Sequence, residues 1–151
     1  SIVFPPGLQL SCLHSGRATG RLLGGNLSLV VSLLGTRFLP NLSEAVLFIE
    51  EIAEEPYRID RMITQLRNAG IFSTCSAILT GQFTDCLPKD QTKPSLSVED
   101  ILTESSRQTG KPFISGLPFG HAPLKMTLPV GLRVRIDADA QSITFSEAAV
   151  R

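Results

Sequence analysis

Short apolar runs alternate with segments of helical periodicity along the first two thirds of the chain. Residues 45–49 are apolar without a break and lead into Glu50 and Glu51, which predicts a buried strand over 46–50. Two further apolar runs, at 76–81 and 112–114, predict short strands of the same kind. Strands that alternate with helices are typical of a parallel sheet. The two carboxylates would therefore lie at the carboxyl end of a strand, where sites form in open α/β sheets.

Three segments have the periodicity and the end signals of helices. Asn26 can cap a helix over 27–34, which is apolar on nearly every side and so belongs in the interior or beneath a domain contact. A proline opens the segment 56–69, whose apolar positions share one helical face. Ser97 begins a capping box, which predicts a third helix over about 98–108.

The two ends of the chain have a different pattern from its centre. Residues 1–25 read as irregular or β-rich, with several glycines after residue 15. Near the other end, short runs at 125–128, 132–136 and 142–146 predict strands, and the middle run alternates apolar with charged residues. These three runs predict a half-buried antiparallel meander. The fold class that follows is α/β, with a small parallel sheet and an antiparallel meander in one domain over residues 1–151.

Composition and charge narrow the function further. The 151 residues are 42% hydrophobic and 19% charged, which is typical of one globular domain with a real core. The formal net charge is zero and no apolar run is long enough to span a bilayer, so we expect neither a nucleic-acid nor a membrane partner. The chain lacks an initiator Met, which indicates a fragment or a processed chain.

The three cysteines, Cys12, Cys75 and Cys86, are an odd number without a CxxC spacing. This pattern argues against a disulfide framework and against a zinc site. Reduced thiols, and with them a cytoplasmic location, fit the pattern better. We expect neither a metal nor an organic cofactor.

Two residues are candidates for acid–base chemistry. Glu50 and Glu51 are neighbours on a strand, so their side chains point to opposite faces and only one of them can serve a given cleft. His121 lies in a loop shaped by two glycines and two prolines, and a carboxylate could orient its ring as a general base. From the residues alone, solvated strand-end carboxylates and a loop histidine bonded to the backbone remain open alternatives. His14, in a polar stretch, has no comparable setting.

A nucleophile for such a pair is missing from the sequence. The Gly-x-Ser-x-Gly pattern is absent, no serine lies at a strand-to-helix elbow, and no basic neighbour activates Cys75 or Cys86. Gly24 and Gly25 before Asn26 lack the spacing of a nucleotide-binding loop, so a tight turn into the next helix explains them better. A Glu–His pair without a nucleophile would be half of a catalytic machine.

Several motifs taken in order resemble the C-terminal domain of the LD-carboxypeptidase family of serine peptidases, which includes muramoyltetrapeptide carboxypeptidases and microcin-immunity peptidases. The motifs span residues 15–147. They are Gly20-x-x-x-Gly24-Gly25-Asn26-Leu27, Leu47-Phe48-Ile49-Glu50-Glu51-Ile52, Pro56-Tyr57-Arg58-Ile59-Asp60-Arg61-Met62, Gly81-Gln82-Phe83-Thr84, Gly120-His121 and Thr127-Leu128-Pro129-Val130-Gly131. The family usually has Asp after its catalytic glutamate, where this chain has Glu51.

The resemblance implies a Ser–His–Glu triad in which Glu50 and His121 come from this chain. The serine would come from an N-terminal domain that these residues do not include, so the isolated chain would be inactive. The implied substrate is the murein tetrapeptide, which loses its terminal D-alanine during cell-wall recycling in the cytoplasm. The resemblance further implies a homodimer and a three-layer β/β/α swivelling-type fold. Arg58 or Arg61 could meet a peptide carboxylate, although a solvated helix face explains both better.

Two alternatives follow from the same residues. A microcin-immunity-type peptidase would cleave an aminoacyl-nucleotide conjugate and favours an aromatic platform for the base, but the chain has no Trp and a single Tyr. A non-catalytic binding domain on the same scaffold has no need of the pair. The distance between the carboxylate of Glu50 and the ring of His121 distinguishes the enzyme from the binding domain.

Overall fold

The computed structural model describes residues 4, 8–146 and 148. Within this part of the chain there are seven strands and four helices. In chain order they are β1 (Ser11–His14), β2 (Arg17–Asn26), α1 (Leu27–Ser32), β3 (Val46–Ile52), α2 (Pro56–Asn68), α3 (Ile71–Thr74), β4 (Ala77–Thr84), α4 (Val98–Thr109), β5 (Phe113–Ser115), β6 (Arg133–Asp137) and β7 (Ser142–Phe145). None of these helices is long and apolar enough to cross a membrane.

The strands form one continuous sheet with a parallel centre and antiparallel ends. Their order is β1-β5-β4-β3-β2-β6-β7. Strands β2, β3, β4 and β5 run parallel to one another, whereas β1 joins the far side of β5 antiparallel. Beyond β2, strands β6 and β7 continue as an antiparallel ribbon. The predicted combination of a parallel sheet and an antiparallel meander is therefore confirmed.

The alternation of side chains on β3 divides the interior into two cores. Leu47 and Ile49 point to the face covered by α1, α2 and α4, where they join a cluster of buried aliphatic and aromatic residues. Val46 and Phe48 point to the opposite face and pack with side chains of β6 and β7, which curl over it. The result is the three-layer β/β/α arrangement that the family resemblance implied.

The helix ends follow the predicted signals. The side chain of Asn26 accepts a hydrogen bond from the backbone N–H of Leu29 and caps α1. At α4, Ser97 and Asp100 form the reciprocal capping box, and Gly110 ends the helix in a left-handed conformation. Helix α1 is shorter than the predicted segment 27–34, since it ends at Ser32. It is also less buried than its apolar sequence predicted, because Leu27 and Val30 are its buried residues.

Two sequence expectations about local structure are wrong. Residues 125–128 form no strand, because prolines precede and follow this exposed segment and both edges of β2 are already occupied by β3 and β6. Gly24 and Gly25 form no turn but continue β2 as a fourth parallel strand, which the sequence reading missed. The β-rich start of the chain is confirmed by β1 and β2, although residues 1–3 and 5–7 lie outside the described residues.

Candidate active site

Glu50 lies near the carboxyl end of β3, directly after the buried apolar residues 46–49. It has the same strand parity as Val46 and Phe48, so it leaves the sheet on the face covered by β6 and β7. Only 7% of the residue is exposed. The buried strand thus delivers a carboxylate to the carboxyl edge of the parallel sheet, as the sequence predicted.

The segment that carries His121 lies against the next strand, β4. Beyond the end of β5, the N–H of Leu117 donates to the carbonyl of Thr80 (3.0 Å), and the N–H of Gln82 donates to the carbonyl of Phe119 (2.9 Å). The ring of Phe119 packs edge-on against that of Phe48, with 5.7 Å between the ring centroids. These contacts hold the segment at the sheet edge, directly beside Glu50.

The carboxylate of Glu50 and the ring of His121 are in hydrogen-bond contact. Nδ1 of His121 lies 2.9 Å from Oε2 of Glu50. A carboxylate oxygen only accepts hydrogen bonds, so the contact places a ring proton on Nδ1 and leaves Nε2 as the free basic nitrogen of the neutral imidazole. The side chain of Glu50 is 10% exposed and that of His121 is 47% exposed. The buried carboxylate of Glu50 therefore holds a half-exposed imidazole whose basic nitrogen, Nε2, is free.

Gly120 allows this close approach. Its backbone has a φ of +111°, and a Cβ at this position would lie 2.9 Å from Oε2 of Glu50 and 3.2 Å from the carbonyl oxygen of Gln82. Another residue would be strained at this φ and would crowd the carboxylate. The glycine directly before His121 is thus part of the geometry of the pair.

Glu51 points to the opposite face, as the strand alternation predicted. Its Oε1 accepts from the side-chain amide of Asn26 (2.6 Å) and from its own neighbour Ile52 (3.0 Å). Its Oε2 accepts from the backbone N–H of Ser28 at the start of α1 (2.8 Å). Glu51 therefore ties the end of β3 to the junction of β2 and α1.

The described residues supply no nucleophile to this pair. Within residues 8–146, Glu50 is the hydrogen-bond partner of the His121 ring, and Nε2 has none. Burial raises the pKa of Cys75 to about 11 and also raises the pKa of Cys86, so neither thiol is activated. No group of three or more His, Cys, Asp or Glu side chains that could hold a metal ion occurs in the described part of the chain.

The two arginines considered as carboxylate ligands lie on the exposed face of α2. The guanidinium groups of Arg58 and Arg61 sit over the ring of Tyr57, 5.9 Å and 5.8 Å from its centroid. Arg58 also pairs with Glu54 at 3.6 Å. His14 bonds to the carbonyl oxygen of Ser15 at the far edge strand β1. Arg58, Arg61 and His14 therefore all have partners among their neighbours in the chain, and their positions do not require a bound ligand.

Comparison with known proteins places the chain in a family. The sequence profile of the LD-carboxypeptidase C-terminal domain matches residues 19–136, which include Glu50 and His121. The chain belongs to the LD-carboxypeptidase family. The matched range contains strands β3, β4 and β5, most of β2 and β6, and the segment that carries His121.

Individual LD-carboxypeptidases and their relatives resemble the chain over most of its length. A Bacillus subtilis protein named "probable murein peptide carboxypeptidase" is 39% identical over 141 residues, 93% of this chain and 44% of that protein. The microcin C7 self-immunity protein MccF of Escherichia coli is 30% identical and covers 88% of this chain and 38% of its own length. The chain thus spans less than half the length of these relatives.

A solved LD-carboxypeptidase has the same fold. The crystal structure of muramoyltetrapeptide carboxypeptidase from Oxalobacter formigenes superimposes with a TM-score of 0.76 at 33% sequence identity, covering 85% of this chain and 44% of that one. The alignment again involves less than half of the other protein.

Sequence reasoning found both members of the pair but missed what holds them. Gln82 was part of a family-like motif without any role of its own, yet its backbone and side chain both bond the segment 116–119. The signal in the sequence is weak, because a glutamine in a strand has no distinctive pattern. Only the path of the chain after β5 brings its partners to it.

Proposed function

We propose that this chain is the C-terminal domain of a serine LD-carboxypeptidase and that it supplies Glu50 and His121 to a Ser–His–Glu triad. The observation that carries the proposal is the 2.9 Å contact between the carboxylate and Nδ1, with Nε2 left free at an exposed surface. The nucleophilic serine would come from an N-terminal domain outside these residues. The family match and the partial coverage of longer relatives support this division.

In the proposed mechanism His121 is the general base and then the general acid. Nε2 takes the proton of the serine hydroxyl while the serine oxygen attacks the carbonyl carbon of the scissile amide. Nε2 then donates this proton to the leaving amine, and an acyl-enzyme remains. Water attacks the acyl-enzyme with the same proton transfers and restores the serine. Glu50 holds the Nδ1–H tautomer and stabilises the imidazolium that forms at each step.

The proposed substrate is a murein tetrapeptide, which would lose its terminal D-alanine during cell-wall recycling. The names of the Bacillus subtilis relative and of the Oxalobacter formigenes structure support a murein peptide. We place the reaction in the cytoplasm, which three free cysteines support. We further propose a homodimer, on the family resemblance alone, and expect the isolated chain to be inactive.

A second candidate function is hydrolysis of a microcin-type aminoacyl-nucleotide conjugate. The 30% identity to the microcin C7 self-immunity protein favours it. The same Glu–His pair would serve both reactions. The first candidate fits the composition better, because the single Tyr, Tyr57, is already covered by two arginines and the chain has no Trp for a base platform.

The test is an assay of the full-length protein for D-alanine release from murein tetrapeptide. We expect His121→Ala to lower kcat by roughly 10⁴-fold, and Glu50→Gln to lower it substantially as well, because the tautomer is no longer fixed. His14→Ala is the matched control and should keep full activity, since His14 lies on β1 away from the pair. Retained activity in His121→Ala would remove the histidine from the mechanism and favour the binding-domain alternative.

A further inference from the structure

Strand β4 contains one extra residue directly opposite Glu50. Ile49 pairs with Thr80 and Glu51 pairs with Phe83, so two residues of β4, Gly81 and Gln82, face the single Glu50. An extra residue of this kind breaks the alternation of side chains and redirects them, and such irregularities occur often beside active sites. The irregularity lets Gly81 and Gln82 both meet the segment that carries His121.

The side chain of Gln82 holds the start of this segment. Its amide nitrogen donates to the carbonyl oxygen of Gly116 (3.0 Å) and to that of Leu117 (3.3 Å). The backbone N–H of the same residue donates to the carbonyl oxygen of Phe119 (2.9 Å). One residue thus bonds three carbonyl groups within the five residues that precede His121.

The end of the segment fits into a gap of fixed width. A Cβ on Gly120 would crowd both Oε2 of Glu50 (2.9 Å) and the carbonyl oxygen of Gln82 (3.2 Å). Gly81 packs equally closely, since a Cβ there would lie 2.4 Å from the ring and from the carbonyl oxygen of Phe119. A shift of the segment along β4 would therefore change the distance between His121 and Glu50.

We infer that Gln82 is a positioning residue, which fixes the ring of His121 against Glu50 by clamping residues 116–119 to β4. The inference rests on the proposed pairing of Glu50 and His121 in catalysis. Gln82 touches neither side chain of the pair through its own side-chain amide and acts through the backbone of the segment. A functional pair needs its supporting contacts to hold it within about 0.5 Å of the working geometry.

The experiment is nitrogen NMR of the His121 ring in this chain, at a pH above the usual histidine range. In the wild type we expect the Nδ1–H tautomer, with an Nδ1 proton protected from exchange by Glu50. Gln82→Met keeps the length of the side chain and removes its donors. We expect it to yield mixed tautomers. We also expect exchange of the Nδ1 proton to become about tenfold faster, because the loss of one hydrogen bond changes an equilibrium by about that factor.

Two other variants frame the comparison. Gln141→Met is the matched control, because Gln141 also donates its side-chain amide to a carbonyl, that of Leu10 (3.0 Å), which is not part of the segment that carries His121. It should leave the His121 signals unchanged. Gly120→Ala is the positive control and should separate the pair. If Gln82→Met does not fold, Gln82→Ala provides the same comparison, since it removes the donors and places no new polar group against the two carbonyls.

The outcomes separate this inference from the proposed function. A wild-type Nδ1–H tautomer that Gln82→Met loses and Gln141→Met keeps supports the clamp. The same tautomer retained in a folded Gln82→Met or Gln82→Ala protein overturns the clamp and leaves the proposed function standing. A wild-type ring in the Nε2–H tautomer would contradict the Glu50–His121 pair itself.

Discussion

Two neighbouring carboxylates on β3 have different tasks. Glu50 orients a histidine at an open edge of the sheet, whereas Glu51, only 2% exposed, accepts three hydrogen bonds from N–H groups on the other face. No basic side chain of the described residues lies within ion-pair distance of Glu51. A buried carboxylate without a cation is stable here because N–H donors surround it.

We therefore expect Glu51→Gln to cost stability rather than a catalytic function. The NH2 group of the new amide would replace one carboxylate oxygen and cannot accept a hydrogen bond, so at least one of the three N–H donors loses its acceptor. We expect this to lower the free energy of unfolding by about 2 kcal/mol. Glu50→Gln is the matched substitution one residue away. Its amide oxygen can still accept from His121, so it should change stability by less than about 0.5 kcal/mol. Urea unfolding of both variants measures the difference, and equal losses would contradict separate roles.

We expect the buried thiol of Cys75 to make the free energy of unfolding depend on pH. Burial raises the pKa of its thiol from 9.0 to about 11, so the unfolded chain ionises this group first as the pH rises. Between these values the unfolded state binds fewer protons than the folded state, and the free energy of unfolding falls by up to about 3 kcal/mol. Below pH 9.0 the contribution is fully present.

The measurement is urea unfolding across that pH range. Cys75→Ala should flatten the decline, because the group that titrates is removed. Cys12→Ala, at an exposed position of β1, should keep most of it. An identical decline in wild type and Cys75→Ala would show that other groups cause it.

At the scale of secondary structure, the close approach of β2 to β3 depends on glycines of β2, and the contact at Gly24 is the tightest of them. Gly24 has a φ of +150° and pairs with Phe48, and a Cβ on Gly24 would lie 1.8 Å from the carbonyl oxygen of Phe48. Gly25 is its neighbour on the same strand, and a Cβ there would meet nothing within 4 Å. The two positions form a natural matched pair.

We expect Gly24→Ala to lower the free energy of unfolding by about 3 kcal/mol, because backbone must move to admit the methyl group. Gly25→Ala should change it by less than about 0.5 kcal/mol. Thermal and urea unfolding of the two variants test this. Equal stability of the two would mean that β2 can move away from β3 without cost.

For the whole molecule, the site lies at an edge that the described residues leave uncovered. The sheet buries the carboxylate of Glu50, while nearly half of the His121 side chain is exposed and its Nε2 has no partner within the described residues. Exposed apolar side chains, Leu124 and Val130, follow His121 in the same irregular segment. The geometry is that of one side of a site, in agreement with the proposed contribution of a serine from another domain.

The sequence by itself determined the alternation of strands and helices, the helix caps and the assignment of Glu50 and Glu51 to opposite faces. Each of these depends on local periodicity or on a side chain bonding its own backbone, which a pattern of residue types records directly. His121 could be picked out because two glycines and two prolines shape its loop. The family motifs then connected it to Glu50.

Only the tertiary structure decided how these two residues meet. Adjacent glycines are typical of turns, so the sequence predicts a turn at Gly24 and Gly25. In the structure both residues pair with β3 and extend β2, the fourth parallel strand. The irregularity in β4 lies about thirty positions along the chain from Glu50, which it faces. The carbonyls that the Gln82 side chain bonds lie 34 and 35 positions from Gln82. Contacts over such distances depend on the path of the backbone, which no local pattern specifies.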